Sequence, residues 1–283
     1  MFKLTLRNRL GNEICLTNTL NYSITGVDGL NPPSATISTS ELALFDGATY
    51  NSSKVNMRSI NISFSINVEA ERNRIALYKV IKPKQQITLL YENGERNVFI
   101  DGYVESFEID YFAIQQTATI SILCPEPFFK DAEEVINEIS LIIANFHFPF
   151  SITAEDPIPF SYYEQILEIN VTNDGDVASG MTIEIRFTGV VKNPTIYNRE
   201  TREEFGLNYT FQSGDFLTIE TSRGEKAVTL TRGTEDINLF NYLTKESTWL
   251  QLETGDNVFT YEADSGEDFM EVRFIYRPFY EGV

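Results

Sequence analysis

Polar and apolar residues alternate most cleanly over Ile60-Asn-Ile-Ser-Phe-Ser-Ile-Asn-Val68. Ile60, Ile62, Phe64, Ile66 and Val68 take one face, and Asn61, Ser63, Ser65 and Asn67 the other. A period of two marks a half-buried strand. From Glu69 to Ile81 the period changes: Ile75, Tyr78 and Leu77 or Ile81 recur at helical spacing. Acids open that segment, Lys79 and Lys82 close it and Pro83 stops it, which predicts a helix of about three turns. Gln86–Tyr91 and the long stretch 97–110 flank Asn93-Gly94, a pair that suits a type I′ hairpin turn. The apolar phase of 97–110 blurs at Gly102, where a bulge or sharp bend is expected. Ala118, Ile120, Ile122 and Cys124 alternate again. This first half is strand-rich with one helix and is expected to close like a small barrel.

Cys124-Pro-Glu-Pro-Phe-Phe-Lys-Asp131 reads as a strand end entering a linker, because two prolines remove ladder donors. Residues 133–160 fit either helix or strand, with Phe146-His-Phe-Pro-Phe150 as an apolar connector. From Ile166 the pattern becomes short strands between turns: 166–173, 180–189, 194–199, 207–211, 215–221, 226–232, 249–253, 257–263 and 270–277. That spacing predicts an antiparallel sandwich. Within it, Trp249 is in phase with Gln251 and Glu253 on the wetter face, opposite Leu250 and Leu252. Thr254-Gly-Asp-Asn257 then reads as a hairpin turn, with Leu250, Leu252, Phe259 and Tyr261 in the core.

Charge divides the chain. Residues 1–130 carry 12 Lys/Arg and 13 Asp/Glu, whereas 131–283 carry 10 and 28, a net −18. So acidic a half does not bind phosphate backbones, which argues against nucleic acid as a partner. It keeps copies of the second domain apart, and leaves the near-neutral first half as the surface for close packing. No apolar run approaches the roughly 20 residues that span a bilayer, and the first residues lack a signal-peptide core, so folding in the cytosol without membrane insertion is expected. Cys15 and Cys124, far apart and each in or beside an apolar pattern, read as buried free thiols.

Candidate chemistry is sparse. His147 is the sole histidine, and between Phe146 and Phe148 it reads as structural. No nucleophile elbow, phosphate-cradling loop or dinucleotide fingerprint is present. Carboxylates are abundant, but nothing nominates a glycosidase-like pair among them. Asn173-Asp-Gly-Asp176 lacks the full twelve-residue loop of a calcium site and reads as a plain turn. Neither a metal, a cofactor nor an enzymatic activity is expected. Trp249, Tyr197, Tyr209 and Tyr261 are candidates for stacking on sugar. Trp249 and Tyr261 are retained as candidate ligand or edge contacts, with Trp249 preferred as a structural plug.

Several stretches, taken in order, resemble the distal tail protein family of long-tailed, siphovirus-type phages. They are Asp46-Gly47, Arg58-Ser-Ile-Asn-Ile-Ser-Phe-Ser-Ile66, Val98-Phe-Ile-Asp-Gly-Tyr-Val104 and Ile122-Leu-Cys-Pro-Glu-Pro-Phe-Phe129. In the second half they are Trp249–Tyr261 and Val272-Arg-Phe-Ile-Tyr-Arg-Pro-Phe-Tyr-Glu-Gly-Val283. The resemblance implies a mainly β fold: a ring-forming split β-barrel over 1–130, followed by a galectin-like β-sandwich over 131–283. It further implies a virion structural protein at the tail tip, assembled in the bacterial host cytoplasm. Its homohexameric ring joins the tail tube protein to the tail-associated hub or fibre protein and offers a platform to other baseplate proteins. Residues 26–57, rich in Gly, Pro, Ser, Asn and Thr, are expected to reach a neighbouring subunit. The alternative function is a carbohydrate-binding adhesin using the sandwich face.

Overall fold

The computed structural model describes residues 2–17, 19–41, 43, 46–139, 142–144, 161–163 and 168–283. His147 and its flanking phenylalanines lie outside the described residues. The chain divides into two compact units: Met1–Glu133 with Phe279–Val283, and Glu134–Pro278. The second half expected over 131–283 thus differs at both ends: residues 131–133 and 279–283 belong to the first unit.

Unit 1 is built from β1 (Lys3–Asn8), β2 (Glu13–Cys15), β3 (Tyr22–Asp28), β4 (Ala35–Glu41), β5 (Ala48–Val55), β6 (Arg58–Ile66), α1 (Ala70–Val80), β7 (Gln86–Glu92), β8 (Asn97–Ile109), β9 (Thr117–Cys124) and β10 (Phe129–Asp131). One antiparallel sheet runs β2-β1-β7-β8-β9-β6-β3, with β10 added beside the start of β8. It does not close into a barrel: among the described residues, β2 and β3 each have one partner strand and end the sheet. The alternation in β6 places Ile60, Ile62, Phe64 and Ile66 in the core, whereas Val68 falls beyond the strand and is exposed.

Three local expectations are corrected. The buried stripe of α1 is Asn73, Leu77 and Val80, and Ile75 and Tyr78 point outward. Asn73 is drawn inward because its amide donates to the Val68 carbonyl (2.6 Å) and its own carbonyl accepts from the Tyr22 hydroxyl (3.1 Å). Asn93-Gly94 does not form a type I′ turn, since neither residue has a positive φ. Instead the Asn93 carboxamide oxygen accepts the Glu95 and Arg96 N–H groups (2.9 and 2.7 Å), closing a four-residue loop. The register shift in β8 comes after Val104, past Gly102. Gly102 answers a different need: a Cβ there would lie 2.5 Å from the Ile122 side chain and 2.8 Å from the Cys124 sulfur.

Unit 2 contributes β11 (Val135–Ile139), β12 (Ile142–Ala144), β13 (Ser161–Tyr163), β14 (Glu168–Asn173), β15 (Met181–Phe187), β16 (Val191–Asn198), β17 (Glu203–Gly206), β18 (Thr210–Phe211), β19 (Phe216–Glu220), β20 (Ala227–Arg232), β21 (Glu235–Asn238), β22 (Gly255–Ser265) and β23 (Met270–Tyr276). The remaining strand, β24 (Phe279–Tyr280), pairs with β10 inside unit 1. Two antiparallel sheets, β11-β23-β15-β19-β20-β21 and β14-β22-β16-β17 with β18 beside β16, supply one shared core. Phe259 on one sheet stacks on Phe274 of the other, with ring centroids 4.6 Å apart. This is the expected β-sandwich.

The stretch 249–253 is not a strand of that sandwich. Among the described residues its one ladder contact is the isolated bridge Ser179–Leu252. Leu250 and Leu252 are nevertheless buried, so the alternation there reports burial against the core without a hairpin. The turn that leads into β22 is held from within the strand by Asn257, whose amide donates to the carbonyls of Glu253 (2.8 Å) and Gly255 (3.1 Å) and whose oxygen accepts the Glu253 N–H. Gly255 there has φ +87°.

Candidate functional site

The two singled-out aromatics have different surroundings. Tyr261 lies on β22 in the core, its hydroxyl directed at the Met270 carbonyl (3.4 Å), and burial pushes its pKa up to about 12. Trp249 is half-buried at the edge. Its indole sits against Phe205 and Phe240, with centroids 5.4 and 5.8 Å away, and the Lys226 ammonium stands 5.2 Å from the ring centre. Trp249 and Tyr261 therefore do not share one platform. A sugar stacked on this indole would compete with the rings and the cation already against it.

The other candidate aromatics are also engaged. The Tyr197 hydroxyl donates to Glu262 (2.6 Å), which raises its pKa to about 12, and Tyr209 packs between Phe211 and Tyr242. Asn173 is buried and closes the 173–177 turn: its oxygen accepts the Gly175 N–H, and its amide donates to the carbonyls of Val177 and Leu252. On the outer face of the six-stranded sheet, Arg273 bridges Glu138 and Glu184 (3.3 and 3.5 Å) and Arg186 approaches Glu271 (3.7 Å). Each cation of that ladder has an acid across the strand. Among the described residues, no three His, Cys, Asp or Glu side chains group as metal ligands.

Unit 1 presents surfaces of another kind. β4 and β5 pair with each other alone among the described residues, and every residue of both strands is exposed, Ile37 and Tyr50 included. An isolated two-stranded ribbon is marginal in water. A second apolar surface joins the outer side of α1 to the loop after β8. Tyr78 meets the Tyr111 hydroxyl (2.6 Å), Arg74 stacks on the Tyr111 ring at 4.8 Å, and Phe112 is 99% exposed. Alternation along the strands does not reveal this patch, but the run Tyr111-Phe112-Ala113-Ile114 inside a polar turn region was its visible signal.

A chain of two antiparallel units, whose exposed apolar residues gather on the first, has the make-up of an assembly component. Consistent with this, the family described as phage tail protein RIFT-related domain matches residues 10–124, and the siphovirus-type tail component, C-terminal domain, matches residues 174–280. The chain belongs to the distal tail proteins of siphovirus-type phages. The crystal structure of the phage SPP1 Dit protein (gp 19.1), described as a paradigm of hub adsorption apparatus in phages infecting Gram-positive bacteria, superposes with TM-score 0.70. Its identity is 13%, and 98% of each chain is covered. A chain of the phage P2 baseplate in its activated conformation with Ca matches at TM-score 0.53 and 12% identity, over 98% of each chain. The phage p2 baseplate with Sr gives 0.54 and 10%, over 97% of this chain and 98% of that one. Identities this low speak for a shared fold. No curated protein sequence matches the chain.

Proposed function

We propose that this tail protein forms a homohexameric ring through unit 1, joins the tail tube to the tail-tip hub or fibre proteins, and offers unit 2 as a platform for other baseplate components. Its role is architectural, with no turnover, and its place is the virion tail tip after assembly in the host cytoplasm. The observation that carries this reading is the β4–β5 arm, whose strands of 7 and 8 residues are exposed throughout and pair with no other strand among the described residues. A ribbon of that length reaches about 25 Å at roughly 3.3 Å per residue. In a ring, each copy presents a neighbour against which its arm can be buried, and the contact closes by rotation. The near neutrality of residues 1–130 permits such packing, while the net −18 of 131–283 keeps the second units solvated. The hub and baseplate contexts of the proteins of like fold lend further support.

Native mass measurement and negative-stain microscopy of the full chain test this directly. Six copies in a six-fold ring are expected, and removal of 35–55 is expected to leave monomers with native Trp249 emission. A strict monomer of the full chain at high concentration overturns the ring, and rings that survive the deletion remove the arm from the interface. The surroundings of Trp249 give the adhesin alternative no specific support.

A further inference from the structure

Unit 1 is discontinuous in the chain: its last strand arrives only after all of unit 2. Residues 279–283 are bound like a docked peptide. Phe279 and Tyr280 pair with Lys130 and Phe129, the Tyr280 hydroxyl donates to Asp131 (3.1 Å), and the Val283 N–H donates to the Leu30 carbonyl (3.2 Å). Arg96 stacks on the Tyr280 ring with its guanidinium carbon 3.9 Å from the centroid.

The central group is Arg58, which is 3% exposed and lies over the Phe129 ring. Its guanidinium donates to four main-chain carbonyls: Pro127 (2.6 Å), Gly29 (2.6 Å), Asn31 (2.8 Å) and Glu281 (2.5 Å). A buried cation is tolerated only when its donors are satisfied. One of these four acceptors comes from the segment that follows unit 2. Until it arrives, a guanidinium donor in the core of unit 1 lacks its partner, and the edge of β10 is uncovered.

We propose that residues 279–283 are a closing strand for unit 1, delivered after unit 2 has been synthesised, and that Arg58 is the latch that holds them. Unit 1 then reaches its stable form last, although most of it is made first. The closing strand acts in the folding of the single chain, whether or not copies assemble into a ring.

The molecule carries its own reporters. Cys124, fully buried in unit 1, is the cross-strand partner of Arg58, and Trp249, the only tryptophan, lies in unit 2. Cys15→Ser leaves Cys124 as the single thiol, and serine can keep the hydrogen bond to the Thr17 carbonyl. In that background, a chain ending at Pro278 is expected to label at Cys124 about tenfold faster or more, the size of one lost charge-assisted hydrogen bond. The denaturation midpoint seen by Trp249 emission is expected to stay unchanged. Tyr280→Ala in the otherwise intact chain, which removes the Arg96 stack and the Asp131 bond, is expected to accelerate labelling by a smaller factor and guards against a truncated chain that fails to fold. Unchanged Cys124 labelling in Tyr280→Ala, or a Trp249 midpoint that falls along with Cys124 protection, overturns the proposal.

Discussion

The two units satisfy their surfaces in opposite ways. Unit 2 closes on itself: aromatic rings meet across its two sheets, the arginines of its outer ladder face acids, and its turns are tied by buried Asn173 and Asn257. Unit 1 ends in two sheet edges, holds out a ribbon with no buried residue, exposes Phe112 and Tyr78, and takes its last strand from beyond unit 2. Net charge and internal pairing thus go together in this chain. Among the described residues the acidic unit ties its charged and aromatic groups internally, while the near-neutral unit carries an exposed ribbon and takes a strand from beyond unit 2.

The largest effect expected from a single side chain tests whether unit 2 is finished by itself. Phe274 is buried and stacked on Phe259, so Phe274→Ala removes a contact that ties the two sheets together. A loss of about 3–5 kcal/mol is expected from denaturant titration followed by Trp249 emission. Cys124 labelling in unit 1 is expected to keep its native rate. A parallel loss of protection would show that the units are not separate in stability.

A smaller effect in unit 2 depends on pH. Asp215 is 2% exposed and accepts two hydrogen bonds from Arg232 (2.7 and 2.6 Å) and one from the Gln212 N–H (2.8 Å). The Arg232 bonds, opposed by burial, hold its carboxyl below the ordinary value of 3.8. A depressed folded pKa contributes stability that is present above the unfolded value and is lost as pH falls through the folded one. The Trp249-detected midpoint of unit 2 is therefore expected to be steady above about pH 5 and to drop below pH 3.8. Asp215→Asn is expected to lower the stability of unit 2 at pH 7 by about 2 kcal/mol and to flatten the acid limb. An acid limb of native steepness in Asp215→Asn would assign it to other carboxylates.

How much of this was legible depends on whether the physics is local. Strands with one wet and one dry face, such as β6, β9, β15 and β23, show their burial as alternation, and the structure buries those residues. The stretch 249–253 also alternates, yet it has no ladder, because alternation senses which side is covered and is blind to pairing. The outward turn of Ile75 and Tyr78 was hidden because their apolar character suggested a core, while polar Asn73 took the inward position by hydrogen bonding. Nothing local marks Phe279-Tyr280 as a strand of unit 1, since its partners lie about 150 positions away and Arg58 lies farther still. The separation of Trp249 from Tyr261 was half legible: opposite phases were readable, whereas the Lys226 cation on the indole came from another turn of the chain.

The smallest expected effect concerns that cation. Lys226 is solvent-exposed, so Lys226→Gln is expected to lower the stability of unit 2 by about 0.5 kcal/mol, the size of an exposed cation–π contact. Trp249→Ala is expected to do more, because it also strips the contacts with Phe205 and Phe240. Thermal melts followed by circular dichroism compare the two variants without relying on the indole. The pair also separates a plug from a platform. If the indole only seals the sandwich edge, neither substitution changes retention on a glycan array or on host cell wall. If it stacks on sugar, Lys226→Gln uncovers the ring and raises retention while Trp249→Ala abolishes it, and unit 2 would then present an adhesive face beside its architectural role.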